Sequence, residues 1–283
     1  MRLTFFCLAL GFMMAAPALA QPEAVSSQWS RASHSSVRLI AGGRNPDGAY
    51  RVGVEITMAS GFKTYWRQPG DSGVPPIFDW SGSENLGSVS VRWPAPKRFV
   101  DHGLTTIGYK GHVIFPALIR PAEAGKAVTA LLKLDYAVCD AICIPVKAEV
   151  MLKLPEANET ALTGELNRFR AQAPRAKEPG KLDDLVGLVS AVTRKENGRQ
   201  MVEVTIATPN GAALQDVFLE GPEGWLFGTP SVVTTEETQS VLRVPVDDKP
   251  KNVVGMVPVV LTITGLPEST EVRFDLDMSP TKP

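Results

Sequence analysis

Ala130-Leu131-Leu132-Lys133-Leu134-Asp135-Tyr136-Ala137-Val138-Cys139-Asp140-Ala141-Ile142-Cys143-Ile144-Pro145 leads on to Glu149-Val150-Met151-Leu152-Lys153-Leu154. Both flanks alternate apolar and polar residues over a few positions, the pattern of a half-buried strand. If the chain reverses over Asp140-Ala141-Ile142, the two cysteines face each other across a three-residue loop. Opposed residues of an antiparallel pair have Cα atoms roughly 4.5–5.5 Å apart. That lies inside the usual disulfide range of about 4.4–6.8 Å, so the spacing permits a bond.

The same two-residue period recurs along the chain. It appears in Val37–Ile40, Tyr50–Ile56, Val89–Trp93 and His112–Phe115, with Gly, Pro, Asn and Asp between the runs. Beyond residue 180 it returns in Leu185–Thr193, Met201–Ile206, Val217–Glu220, Ser240–Val246, Val259–Thr264 and Val272–Leu276. Asn197-Gly198 separates the first two of these and is a strong hairpin signal. Residues 158–173 break the pattern: Asn158 or Thr160 can cap a helix, Ala161, Leu162, Leu166 and Phe169 share a face, and Pro174 ends it. The polar, proline-bearing residues 174–181 read as a linker. Many short strands at this spacing predict an all-β protein of two immunoglobulin-like β-sandwich domains joined by a short helix and linker. The expected boundaries are 21–156, 157–182 and 183–283.

Residues 1–20 read as a signal peptide. Arg2 is followed by an uncharged apolar stretch, Leu3 to Ala16, and Ala18-Leu19-Ala20 has the small-x-small pattern of a cleavage site. The stretch is about 14 residues, whereas crossing a bilayer needs roughly 20. No later segment approaches that length, so the expectation is export to the periplasm without membrane insertion. Losing Arg2 and no acid moves the formal net charge from −1 to −2. A near-neutral chain has no electrostatic footprint for nucleic acid. Charged residues at 21% and apolar residues at 44% are globular values. Once Cys7 leaves with the signal, Cys139 and Cys143 are the only thiols. Two cysteines in such a length are not a disulfide scaffold. They are a local staple or a working site.

A disulfide stabilises by restricting the unfolded chain, and the effect grows with loop length. A bridge this short does little of that, and an exposed hairpin-tip bond is easier to reduce. Both points favour redox exchange without excluding a structural bridge. No Lys, Arg or His separates the cysteines, Lys147 is the nearest cation in sequence, and Asp140 raises the pKa of its neighbour. The pair therefore suits attack by a partner's thiolate better than an attack of its own. Thiolates also suit Cu(I), with His112 or a methionine to complete a site, but no diagnostic ligand spacing exists.

Tyr136-Ala137-Val138-Cys139 and Cys143-Ile144-Pro145 resemble the amino-terminal periplasmic domain of the DsbD/ScsB protein-disulfide reductases. Residues Gly61 to Gly73, Trp93 to Phe99 and Ile107-Gly108-Tyr109 are similar to further segments of that family, notably its ScsB-like branch with its copper-tolerance setting. The resemblance covers residues 50–155. It implies an immunoglobulin-like domain whose cysteine pair takes electrons from a membrane thiol transporter and hands them to thioredoxin-like and other periplasmic disulfide proteins. Carried over, Cys139 and Cys143 are that pair, and analogy makes Cys139 the sulfur attacked. A loop that shields the cysteines maps to residues 66–76. Tyr65, Trp66, Asp71, Tyr109 and Tyr136 are the candidates for the partner-binding surface. No cofactor or metal is implied. The transmembrane transporter and thioredoxin-like domain of full-length members have no counterpart here, so the expectation is that they are separate polypeptides or that this chain has another role.

Tyr65, Trp66 and Tyr136 also suit a sandwich core, and Tyr136, three residues before Cys139 on a strand, points to the opposite face. Trp225 and Phe227 suit the second core. His34, His102 and His112 are scattered. Gly70-Asp71-Ser72-Gly73 superficially suggests a nucleophilic serine, yet no partner histidine motif accompanies it. No phosphate-binding glycine loop or zinc motif is present. The rival to electron transfer is a non-enzymatic binding or assembly module with a structural Cys139–Cys143 bridge.

Overall fold

The computed structural model describes residues 23–279 apart from 102, 182, 210, 211 and 252. The signal-peptide reading and His102 lie outside the described residues. The strands form four sheets in two sandwich-like bodies, as the alternation predicts.

The first body contains β1 (Ser30–Arg31), β2 (Ser35–Arg44), β3 (Tyr50–Met58), β4 (Lys63–Gly70), β5 (Ile77–Asp79) and β6 (Leu86–Val91). It continues with β7 (Lys97–Asp101), β8 (Leu104–Lys110), β9 (His112–Pro121), β10 (Thr129–Cys139) and β11 (Cys143–Lys153). One sheet has the order β1-β2-β3-β9-β6; the other is β11-β10-β4-β8-β7, with β5 paired to β10. Alternate residues of each sheet meet between them. Val52, Val54 and Ile56 of β3 and Phe115 of β9 share a core with Leu132, Leu134, Val150 and Leu152 of β10 and β11. Lys133, Asp135 and Glu149, which fall between, are exposed.

Helix α1 (Thr163–Ala171) is shorter than the 158–173 its sequence suggests. Thr160 turns the chain into it, accepting the Leu162 amide at 3.1 Å while its hydroxyl donates to the Ala41 carbonyl. Leu166 and Phe169 bury against Ile40 and Ile114 on the outer face of the first sheet.

The second body comprises β12 (Arg175–Lys177), β13 (Gly187–Glu196), β14 (Arg199–Ala207), β15 (Ala213–Glu220) and β16 (Leu226–Phe227). It is completed by β17 (Ser231–Thr235), β18 (Gln239–Asp248), β19 (Met256–Leu266) and β20 (Thr270–Asp277). Its sheets are β12-β20-β19-β15 and β13-β14-β18-β16, with β17 also on β18. β12, in the stretch read as linker, pairs parallel with β20. Trp225 and Phe227 stack with ring centroids 5.8 Å apart inside this core.

Polar and aromatic contacts join the bodies. Arg67 of β4 clamps Glu220 through bonds of 2.7 and 2.8 Å and reaches Glu271 at 2.5 Å. Burial alone weakens Arg67's hold on its proton, but the two carboxylates outweigh it and the guanidinium stays charged. Burial pushes Glu220 above the ordinary carboxylate range, ahead of the opposing pull of Arg67. Arg98 of β7 bonds Asp216 at 3.0 Å. Phe218 of β15 meets Trp66 edge-on at 5.6 Å and closes that end of the first core.

Candidate functional site: a disulfide at a hairpin tip

β10 and β11 pair in unbroken antiparallel register from Thr129↔Lys153 to Cys139↔Cys143. Directly opposed residues put their side chains on the same face. The cysteines, with Cα atoms 4.1 Å apart, are joined by a disulfide. Asp140 donates its amide to the Ile142 carbonyl at 3.3 Å across the loop. Alternation along β10 puts Cys139, Ala137 and Asp135 on the outer face of the sheet, away from the main core.

The two sulfurs have different surroundings. Cys139 is 8% exposed and packs in a small cluster with Tyr65 and Ala137. Cys143 is exposed. The accessible member of the pair is therefore Cys143, not Cys139 as analogy suggests.

Tyr65 is the one member of the expected partner-binding set that reaches the cysteines. Its ring is fully buried and its hydroxyl lies 3.0 Å from Cys143 Sγ. Burial pushes the phenol above its usual pKa of 10, so it keeps its proton at neutral pH and can donate to sulfur. Gly73, at φ +114°, lies against the same ring: a Cβ there would sit 2.1 Å from Tyr65 Cε1. Only glycine permits this approach and this backbone angle. The loop after β4 thus presses on Tyr65, and Tyr65 on the disulfide.

Asp71 fastens that loop without touching a cysteine. Its amide donates to the Thr105 carbonyl at 2.9 Å, and its carboxylate accepts the Thr105 amide at 2.7 Å. Trp66, Tyr109 and Tyr136 lie in the core between the sheets. Tyr109 donates to the Pro94 carbonyl at 2.8 Å and Tyr136 bonds Ser35 at 2.6 Å. On the described geometry these three build the scaffold and do not meet the disulfide.

Lys63 escaped sequence reasoning. It is the register partner of Cys139 on β4 and is 4% exposed, its ammonium paired with Asp101. Nothing local in sequence announces it, because the pairing is between distant strands. Lys147, the nearest cation in sequence, is exposed and bonds Asp135 at 2.7 Å. Three apolar side chains stand exposed on segments adjoining the tip: Ile142 at 72%, Ile77 at 61% and Val74 at 55%.

The histidine suggested for a Cu(I) site is elsewhere. His112 lies on the outer face of the other sheet, where its Nε2 is 3.0 Å from Glu55 and its ring meets Phe169 edge-on. Glu55, His112 and Glu165 bring their donor atoms within 4.8 Å of one another. Glu55 is already engaged by Arg38 and His112, however, and this cluster shares nothing with the cysteines.

The first β-sandwich thus presents a hairpin-tip disulfide with one exposed sulfur and a tyrosine hydroxyl beside it. Residues 36–155 match the family model described as thiol:disulfide interchange protein DsbD, N-terminal. The N-terminal periplasmic domain of ScsB from Proteus mirabilis has a similar fold, with a TM-score of 0.66 at 22% sequence identity, over 89% of this chain and 98% of that one. No curated protein matches the chain. Among the described residues no helix is long and apolar enough to cross a membrane.

Proposed function

We propose that this protein is a periplasmic electron carrier, the soluble dithiol component of a protein-disulfide reductase. It takes electrons from a membrane thiol transporter and passes them to thioredoxin-like periplasmic proteins. The observation that carries this reading is the asymmetric disulfide: Cys143 exposed beside the apolar Ile142, Cys139 buried behind it. On this reading residues 21–156 are the redox domain, 157–182 the connection and 183–283 a docking module.

A thiolate of the reduced donor attacks Cys143 Sγ, forming a mixed disulfide, and Cys139 leaves as a thiolate that takes up a proton. The donor's second thiolate attacks its own sulfur in that mixed disulfide and releases Cys143. The donor ends oxidised and the hairpin holds two thiols. Reversal of these steps on an oxidised client returns the disulfide and reduces the client. Tyr65, keeping its proton, can donate to the Cys143 thiolate when it forms. Ile142, Ile77 and Val74 offer the partner an apolar rim.

Single-cysteine variants test the reading. Cys139→Ser, which leaves the exposed sulfur, is expected to accumulate mixed disulfides with periplasmic thioredoxin-like proteins, while Cys143→Ser traps few. Equal trapping by both variants would remove the assignment of Cys143. A wild-type bond that withstands dithiothreitol until the protein unfolds would favour the assembly-module reading instead.

A further inference from the structure

Three arginines from separate segments converge far from the disulfide in sequence. Arg51 of β3, Arg92 just beyond β6 and Arg170 in the last turn of α1 line one recess, with Ser90, Asn167 and Leu166. No carboxylate lines it. Several other arginines of this body are matched by acids, as in Arg38–Glu55, Arg44–Glu156 and Arg120–Asp47. Among the described residues Arg92 and Arg170 have no such partner. In a chain of formal net charge −1 this is a local excess and not a background. Gathering like charges on one recess opposes folding unless something negative offsets them.

Arg51 is, in addition, incompletely hydrogen-bonded. Its Nη2 donates to the Asn158 carbonyl, but its buried Nε has no acceptor. Buried N–H groups are nearly always paired, by protein, water or ion. An acceptor in the recess is the simplest way to complete this one.

Size then selects the ligand. The recess holds about 100 Å³, roughly three waters at about 30 Å³ each. Sites for drug-sized molecules occupy about 300–1,000 Å³, so the recess is sized for a small ion. Guanidinium groups recognise oxyanions through paired N–H bonds. We propose that the recess binds one small tetrahedral oxyanion, phosphate or sulfate, held by Arg51, Arg92 and Arg170 with Ser90 and Asn167 as neutral donors. The ion ties the last turn of α1 to the sheet beneath and stabilises the first body by mass action.

Calorimetric titration of the intact protein with sodium phosphate and with sodium sulfate, at ionic strength held constant with chloride, tests this. Saturable one-site binding is expected, with a melting temperature that rises with the logarithm of ion concentration. Arg92→Gln combined with Arg170→Gln should weaken binding at least about tenfold, since two charge-assisted bonds are lost. Lys153→Gln, at an exposed position on β11, should leave the affinity unchanged. Near-UV circular dichroism checks that the double variant is folded, and Arg170→Gln alone serves as a milder test. Absence of saturable binding in the wild type, or an equal loss in Lys153→Gln, overturns the proposal.

Discussion

Two hairpins of this molecule reverse the chain by opposite means. β13 and β14 turn through Asn197 at φ 48° and Gly198 at φ 80°, directly after the pair Glu196↔Arg199. Two central residues with positive φ give a turn whose twist matches that of the strands, and Asn-Gly is its preferred sequence. β10 and β11 turn through Asp140-Ala141-Ile142, none of which takes a positive φ, and the disulfide occupies the last register position. A loop that needed only to reverse had the Asn-Gly solution available. Closing so few residues with a disulfide contributes roughly 2 kcal/mol at most. The cysteine tip places a disulfide with one exposed sulfur on a task that turn chemistry does without covalent help, which is why it reads as a site.

Replacing both cysteines by serine tests this contrast most strongly. Exchange with a dithiol partner should vanish, while chemical denaturation should show a loss of roughly 2 kcal/mol or less. A loss of several kcal/mol would make the tip a structural staple, and the distinction between the two hairpins would disappear. A smaller effect is expected from Tyr65→Phe. Removing the hydroxyl 3.0 Å from Cys143 Sγ takes a donor from the thiolate in the reduced protein. One such bond is on the order of 1.5 kcal/mol, so the Cys143 pKa should rise by about one unit. The pH dependence of iodoacetamide alkylation reads this out, and an unchanged titration would remove Tyr65 from the chemistry.

The hairpins also mark what was legible in sequence. Leu132, Leu134, Val150 and Leu152 turned inward and Lys133, Asp135 and Glu149 outward as the two-residue period requires. In-step pairing then brought the cysteines together. Which neighbours surround them was not legible, because the order β11-β10-β4 comes from pairing between distant segments. That order brings Lys63 to Cys139. Tyr65 and Trp66 are adjacent on one strand and point to opposite faces, so local sequence says that one of them can meet the disulfide without saying which. The register shift between Tyr65 and Gly70 breaks the alternation just beyond. Arg67 leaves through that break to meet Glu220 and Glu271 of the second body. Tyr109 and Tyr136 fell on inward positions and became core.

The remaining tests act on the Asn-Gly hairpin, where stability should change and redox behaviour should not. Gly198→Ala places a Cβ at φ 80° and should cost about 1–2 kcal/mol, with exchange rates unaltered. The smallest effect is expected at Glu203, midway along β14. It bonds Arg194 across the hairpin at 2.8 Å and Arg243 of β18 at 3.1 Å. Burial pushes its carboxyl up, but the two guanidiniums outweigh this and hold it below the ordinary 4.5. A carboxyl whose folded pKa is depressed contributes stability above its unfolded pKa, and that contribution fades as pH falls through the folded value. Glu203→Gln should therefore weaken the second body at pH 7, by less than about 1 kcal/mol, and the gap from wild type should close toward pH 3. The disulfide at the other tip does not titrate, so no matching acid slope arises from the cysteines. Urea unfolding of both proteins at the two pH values decides the matter: a gap that persists undiminished at pH 3 would mean that these ion pairs do not hold β14 in place.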